Sequence, residues 1–465
     1  LFRIYNHYIS RTTVFLIGTE IFVLMIAFYL GTGLRFLNQM ELLPFTFTSL
    51  LPVAATFTVV MVTSMAAMGM YQLDFRPDLK DTLFRLMPSM LLGFGIMTLI
   101  FYLLPDLYSG RGILGLVMLL ALSGILLTRA AFLKWSRLGI LESRAIVLGI
   151  GSKAREFIDQ TARDPHRHGL RIIGFVPLQD EERQVPASAV LPRMDPLVSL
   201  ARQHGAGEII IAIQERRGGY LPIQDLLECK LSGIKVTDSV AFFEREQGQI
   251  RVNSLYSSWL VFGGGFDQSP LRSGIKRGFD LVASTLLLIV TLPVMLVTAL
   301  CIVIEDGAPV FYRQERVGKS GKTFMVLKFR SMKNDAEKGG TPQWAIADDP
   351  RTTRVGRIIR KLRIDELPQI FNVLNGEMSI VGPRPERPYF VNQLCQEVPY
   401  YNVRHSIKPG ITGWAQVRYG YGASLNDAIE KLQYDLYYVK NHSLFLDVII
   451  LIDTIEVVVL GKGGR

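Results

Sequence analysis

A chain of 465 residues is too long for one ordinary domain, and 49% hydrophobic residues combined with a net charge of +10 set apolar segments beside basic ones, the balance of a protein that meets lipid and acidic groups. Its three cysteines, Cys229, Cys301 and Cys395, are odd in number and far apart, with no CxxC pair, which excludes a disulfide framework and a cysteine metal site. The first apolar run has no small-residue cleavage site, so no signal peptide is expected.

Four apolar stretches fill the first third, Val14 to Leu34, Phe47 to Met70, Met87 to Leu104 and Ile113 to Phe132, each close to the roughly 20 residues a spanning helix needs. Glu20 is their only acidic residue. A soluble bundle of such helices would have no polar face to turn to water, so a transmembrane four-helix bundle is expected over residues 1–138. Arg3 and Arg11 precede the first helix, Arg76, Lys80 and Arg85 lie between the second and third, and Lys134, Arg137 and Arg144 follow the fourth. By the positive-inside tendency, both ends of the bundle face the cytoplasm.

Residues 139–268 change to short strands alternating with helices: strands at Ala145 to Gly149, Arg171 to Val176 and Glu208 to Ile213, and a helix from Ala154. That alternation predicts an α/β, Rossmann-like domain. Its first turn, Gly149-Ile-Gly151-Ser-Lys-Ala154, keeps two glycines of a dinucleotide fingerprint, but no acidic residue follows at the ribose position and no Tyr-x-x-x-Lys pair is present, so a structural or regulatory domain is favoured over cofactor chemistry. Gly263-Gly264-Gly265 has the composition of a linker.

The third region, 269–465, opens with an apolar segment, Leu281 to Ile304, interrupted by Pro293. Lys276 and Arg277 precede it, and Arg313, Arg316, Lys319 and Lys322 follow. With both flanks basic, a helix kinked at Pro293 that enters the membrane and returns, over about 276–305, is expected instead of a crossing one.

Beyond it, Lys328-Phe-Arg330 is followed by Arg351, Arg354, Arg357 and Arg360, a three-residue spacing that predicts one helix face for phosphate or anionic headgroups. Nucleic acid as a partner fits poorly with four membrane helices. Asp365-Glu366-Leu-Pro368 has the form of a helix first turn, where acidic residues commonly serve the dipole. Two prolines flank Arg384 just downstream. They stiffen it, as a bidentate phosphate clamp requires, and so favour chemistry at the acid pair. Asp447, Asp453 and Glu456 interrupt the apolar run Leu444 to Leu460, which predicts a helix packed at the interface, not one that spans.

Lys276-Arg-Gly-Phe-Asp280, Lys328-Phe-Arg-Ser-Met332, Asp365-Glu-Leu-Pro-Gln369, Asn372-Val-Leu-Asn-Gly-Glu-Met378, Val381-Gly-Pro-Arg-Pro385 and Lys408-Pro-Gly-Ile-Thr-Gly-Trp414, in that order, resemble the motifs of the bacterial sugar transferases, monotopic polyprenyl-phosphate phosphoglycosyl transferases. With the bundle and Rossmann-like domain in front, the chain resembles the large members that begin exopolysaccharide or O-antigen synthesis. The resemblance implies a mainly α monotopic catalytic domain on the cytoplasmic face of the bacterial inner membrane. It implies transfer of a sugar 1-phosphate from a UDP-sugar, UDP-glucose first, to undecaprenyl phosphate, with release of UMP. Asp365 would be the nucleophile of a ping-pong reaction. Glu366 would orient it, help bind metal or handle a proton. Mg2+ is the expected cofactor, with Asp365 and Glu366 as its candidate ligands. Lys328, Arg330, Arg360 and Arg384 are the candidate phosphate binders, and Asp435 and Asp447 the supporting acids. One departure stands out: many relatives place serine before the helix-breaking proline, where this chain has Leu292. The bundle and middle domain, without chemistry of their own, are candidate homodimer surfaces. The competing readings are a membrane-anchored Rossmann-type oxidoreductase or epimerase and a non-enzymatic organiser of polysaccharide assembly. The first lacks a ribose acid and the second gives Asp365-Glu366 no purpose.

Overall fold

A computed structural model describes residues 2–4, 7–9, 11–36, 47–71, 79–107, 110–137, 143–163, 170–178, 182–192, 196–213, 221–252, 255, 265–266, 269–333, 351–420, 422 and 424–459. The chain forms two compact units, one of Leu1–Phe2 with Tyr8–Gln247 and one of Arg3–His7 with Gly248–Arg465. Strands β1 (Phe2–Ile4) and β2 (His7–Ile9) come first.

The four apolar stretches form α1 (Arg11–Arg35), α2 (Phe47–Ala67), α3 (Leu79–Leu103) and α4 (Arg111–Arg137), each long and apolar enough to cross a membrane. Phe28, Phe57, Met61, Val117 and Ile125 are fully buried between them. Small residues allow the close approach: a Cβ at Gly31 would strike Val117, and one at Gly124 would strike Val23. The lone acid Glu20 is fully buried. It accepts from Arg129 Nε at 2.6 Å and from the Tyr71 hydroxyl at 2.6 Å, while Arg129 Nη1 donates to the Met70 carbonyl at 3.0 Å. A charge so placed is tolerable because both its oxygens are satisfied.

The α/β region contains β3 (Ser143–Leu148), α5 (Ser152–Arg163), β4 (Leu170–Val176), α6 (Leu197–Gln203), β5 (Glu208–Ile211), α7 (Ile223–Leu231), β6 (Lys235–Asp238) and α8 (Ser239–Gln247). Its sheet has the order β4-β3-β5-β6 and is parallel throughout, as the strand and helix alternation predicts. Gly149, at φ +122°, makes the turn after β3. The chain's own residues lie over that turn: Gln184 donates its backbone N–H to the Ile150 carbonyl at 2.8 Å, and Val185 is buried with Ile150 and Ala154.

In the second unit a 37-residue helix, α9 (Pro270–Asp306), runs on through Pro293. Thr291 Oγ1 bonds the Leu287 carbonyl at 2.7 Å, one turn before the proline. Asp280 and Ser284 toward its start and Met295, Thr298 and Ile302 toward its end are buried, while Val282, Val290, Leu296, Leu300 and Ile304 are exposed. There follow β7 (Phe311–Val317) and β8 (Thr323–Phe329), an antiparallel pair, then α10 (Arg354–Lys361), α11 (Gln369–Asn375), β9 (Ser379–Val381), α12 (Pro388–Glu397), β10 (Gly410–Thr412), α13 (Trp414–Arg418), α14 (Leu425–Asn441) and α15 (Leu444–Val459). β9 and β10 are parallel.

This unit starts before position 269. Ile250 and Val252 are buried in its core, the Gly248 carbonyl accepts from Trp414 Nε1 at 2.8 Å, and Phe266 N donates to the Lys440 carbonyl at 3.0 Å. Gly265 thus packs on Lys440 where a free linker is expected. Gly263 and Gly264 lie outside the described residues. His7 also belongs here, buried with Nδ1 2.8 Å from the Tyr437 hydroxyl and its ring edge-on to Trp414.

Candidate active site

Thr353 starts α10, its side chain accepting from Gly356 N at 2.8 Å. The next free amides, Arg354 N and Val355 N, donate to the Glu305 carboxylate at the end of α9 at 2.7 and 2.8 Å, so α9 and the basic helix are joined end to end. Arg351 precedes the cap. The expected face is therefore made by Arg354, Arg357 and Arg360 alone, because the helix begins one turn later than the spacing predicts.

After α10 the chain reverses at Arg363, a non-glycine residue at φ +56°, and enters a 3-10 turn, Ile364–Glu366. The acid pair therefore sits on a tight turn ahead of α11, which starts at Gln369 and not at Asp365. Pro368, without an N–H, serves as the N-cap. A left-handed conformation in a residue with a Cβ costs energy and is often found where a functional group must be aimed.

Glu366 is buried among cations. Arg384 Nη2 lies 2.5 Å and Lys328 Nζ 3.1 Å from its Oε1, with Arg384 Nη1 at 3.4 Å and Arg363 Nη1 at 3.8 Å from Oε2. Burial opposes ionisation, but Arg384 and Lys328 outweigh it and hold this carboxyl far below the usual range. Asp365, partly buried, makes no hydrogen bond or ion pair among the described residues. Burial and then the Glu366 charge push it up to about 6, against the pull of Lys328, Arg384 and Arg360. Environment thus separates the neighbours into a fixed anion and an unengaged carboxyl that titrates near neutrality.

Lys328, Arg384 and Asp365-Glu366 come together, and Arg360 acts on Asp365 through its charge while bonding Thr352 Oγ1 at 3.2 Å. Arg330 does not join them. Its Nη2 donates to the Asp306 and Gly307 carbonyls at 3.0 and 2.6 Å and so closes the C-terminus of α9. Asp435 pairs with Arg404 at 2.8 Å, and Asp447 with Lys276 at 2.9 Å and the Tyr438 hydroxyl at 2.6 Å. Asp453 pairs with Arg418 at 3.1 Å, so the acids of α15 point into the protein, not into solvent.

Several supporting residues carried no sequence signal of their role. Arg277 donates to the Val373 and Leu374 carbonyls at 2.6 and 2.7 Å, closing α11, and Asn372 bonds Leu327 N at 3.0 Å and the Met325 carbonyl at 2.8 Å, fixing α11 against β8. Arg363, Arg316 and Arg404 were likewise ordinary basic residues in the sequence.

As for a metal, no group of three or more His, Cys, Asp or Glu side chains gathers among the described residues. Both Glu366 oxygens already face cations, which leaves Asp365 as the available donor. One carboxylate suits an ion such as Mg2+ that takes its other ligands from substrate phosphates and water.

The family model of the bacterial sugar transferases matches residues 271–461, and a CoA-binding domain model matches 66–222. The chain is 45% identical over 240 residues to a UDP-N-acetylgalactosamine-undecaprenyl-phosphate N-acetylgalactosaminephosphotransferase of Aeromonas hydrophila, a match covering 52% of this chain and 56% of that protein. It is 42% identical over 185 residues to a UDP-glucose:undecaprenyl-phosphate glucose-1-phosphate transferase of Escherichia coli, 39% of each chain. With an undecaprenyl-phosphate galactose phosphotransferase of Salmonella typhimurium it shares 31% identity over 357 residues, 71% of each chain. That breadth of likeness, together with the match over the whole region that builds the acid pair and the Arg384 loop, means that the chain belongs to the bacterial sugar transferase family.

Proposed function

We propose that this chain transfers a sugar 1-phosphate from a UDP-sugar to undecaprenyl phosphate through a covalent intermediate on Asp365. The observation that carries the reading is the contrast within the acid pair, one carboxylate neutralised by Arg384 and Lys328 and its neighbour left without a partner. A carboxylate oxygen of Asp365 attacks the phosphorus next to the sugar. The bond from that phosphorus to the bridging oxygen breaks, and UMP departs with the electron pair. An oxygen of undecaprenyl phosphate then attacks the same phosphorus, breaks the acyl phosphate bond and returns Asp365 as a free carboxylate. Arg384 and Lys328 meet the developing phosphate charge, and Glu366 keeps both in place beforehand. Mg2+, when bound by Asp365 and substrate phosphates, would lessen the repulsion between them.

The membrane arrangement belongs to the same proposal: α1 to α4 span the bacterial inner membrane with both bundle ends cytoplasmic, the α/β region is a Rossmann-like domain without catalysis, and α9 enters the lipid and returns. For α9 the support is that both its ends are bound to the same unit, Asp280 to Ser379 Oγ at 3.0 Å near the start and the Asp306 and Gly307 carbonyls to Arg330 at 3.0 and 2.6 Å at the close. A helix tied at both ends to one domain rich in arginine and lysine cannot thread a bilayer without drawing that domain in.

Purified protein in lipid, given undecaprenyl phosphate, Mg2+ and a panel containing UDP-glucose, UDP-galactose and their N-acetylated forms, is expected to release UMP with at least one donor. Asp365→Asn is expected to abolish release and, in intact-mass measurement with donor alone, to lose the sugar phosphate adduct. Undiminished release by that variant would remove the mechanism.

A further inference from the structure

The loop that presents Arg384 is held by its carbonyls, one after another. Gly410 N donates to the Pro383 carbonyl at 3.0 Å, Arg404 Nη2 to that of Arg384 at 2.8 Å, Arg316 Nη1 to that of Pro385 at 3.1 Å and Val317 N to that of Glu386 at 2.9 Å. The donors come from β10, the 3-10 turn Tyr401–Ser406 and β7, so three separate elements grip four consecutive peptide units. Arg404 is the most deeply set of the side-chain donors. It is buried, its Nη1 bonds the Tyr401 hydroxyl at 2.7 Å, its guanidinium carbon lies 5.1 Å from that ring's centre, and its Nη2 is 2.8 Å from Asp435 Oδ2. An arginine held by a buried carboxylate, a phenol and a carbonyl is fixed in position and orientation.

We infer that Arg404 is a positioning residue that sets where the Arg384 guanidinium meets the transferred phosphate, and that Asp435 orients Arg404 for this task. The inference rests on the transfer reading above. Neither residue bonds the acid pair, and Arg404 reaches it through the Arg384 backbone. A lysine at 404 keeps the charge but cannot make the same three bonds from a planar fork. It would free the Arg384 carbonyl and loosen the loop by a fraction of an ångström or more, on the scale at which catalytic geometry fails.

The test uses the full chain in lipid with undecaprenyl phosphate and the donor that releases UMP fastest. R404K is expected to lower kcat/KM by about 10²-fold with its unfolding midpoint close to that of the parent, and D435N to move in the same direction. The loss is expected in kcat more than in KM for the donor, a split that general destabilisation does not produce. Guanidinium added to R404A is expected to restore part of the rate. Parental rates in R404K, or losses that merely follow the fraction of folded protein, would overturn the role. Asp365→Asn separates the two claims: release surviving in that variant removes the aspartyl mechanism, whereas an inactive Asp365→Asn beside an unaffected R404K removes only the positioning.

Discussion

An unengaged carboxyl pushed up to about 6 has two consequences at the scale of the residue. The first is kinetic. In the proposed transfer only the ionised form of Asp365 attacks, so kcat/KM for UMP release should fall below about pH 6. Glu366→Gln removes the charge that helps raise Asp365 and releases Arg384 and Lys328 toward it, so the limb in that variant should shift to lower pH, whatever the loss in rate. A limb that stays in place would assign the titration to another group. The second is thermodynamic. The folded value lies above the 3.8 of a free aspartate, so this group's contribution to stability is full below about pH 3.8 and is lost as pH rises through about 6. Asp365→Asn mimics the protonated form, and at pH 7 it should stabilise the protein by up to about 3 kcal/mol, from roughly 1.4 kcal/mol per pKa unit. The gain should vanish below pH 4. Thermal unfolding at the two pH values measures it, and equal midpoints of parent and variant at pH 7 would contradict the raised value.

Among the elements, α9 is anchored at each end by a basic residue and its acids. Lys276 bridges Asp280 at 3.0 Å and Asp447 at 2.9 Å, both acids nearly inaccessible, while Arg330 and Glu305 secure the other end. Lys276→Ala leaves two buried carboxylates without their cation and should cost about 3–5 kcal/mol. Adding Asp447→Asn should return part of that, and a double-mutant cycle without coupling would argue against the bridge. The sequence carried the helix, the motif and the acid pair, because hydrophobic period and local spacing are one-dimensional signals. It did not carry the partners. Arg330, two residues beyond Lys328, would share its direction in a continued strand, but β8 stops at Phe329 and the side chain turns to the end of α9. Asp435 was a candidate from the family resemblance, but its pairing with Arg404 was beyond reach for the same reason: their meeting is made by the packing of α14 against a 3-10 turn, and no periodicity encodes it. The basic face began at Arg354 and not Arg351 because Thr353 offers a cap there.

For the whole molecule, the boundary of the catalytic unit is the main change from the sequence reading. Gly248 and Ile250 belong to its core although the family model begins at residue 271. Ile250→Ala should therefore lower the stability of this unit by about 2–4 kcal/mol and reduce transferase activity in step with the folded fraction. A variant that destabilises only the α/β region, leaving UMP release intact, would place Ile250 in the first unit instead. The bundle, with its apolar runs, and the parallel sheet, with its alternation, were legible because each is built from contiguous segments. The 248–252 segment was not, because it is short and packs against residues far along the chain.

His7 and Tyr437, in contact within one core, stand 430 positions apart in the sequence. A ribosome makes the first of them long before the second. The N-terminal segment must therefore wait, through the synthesis of everything between, for α13 and α14 to emerge and enclose it. Such a closure is of high contact order and comes late in folding. A polypeptide cut short before position 437 would keep all five membrane-length helices found among the described residues and the Asp365-Glu366 pair, yet lack the side chains that enclose His7.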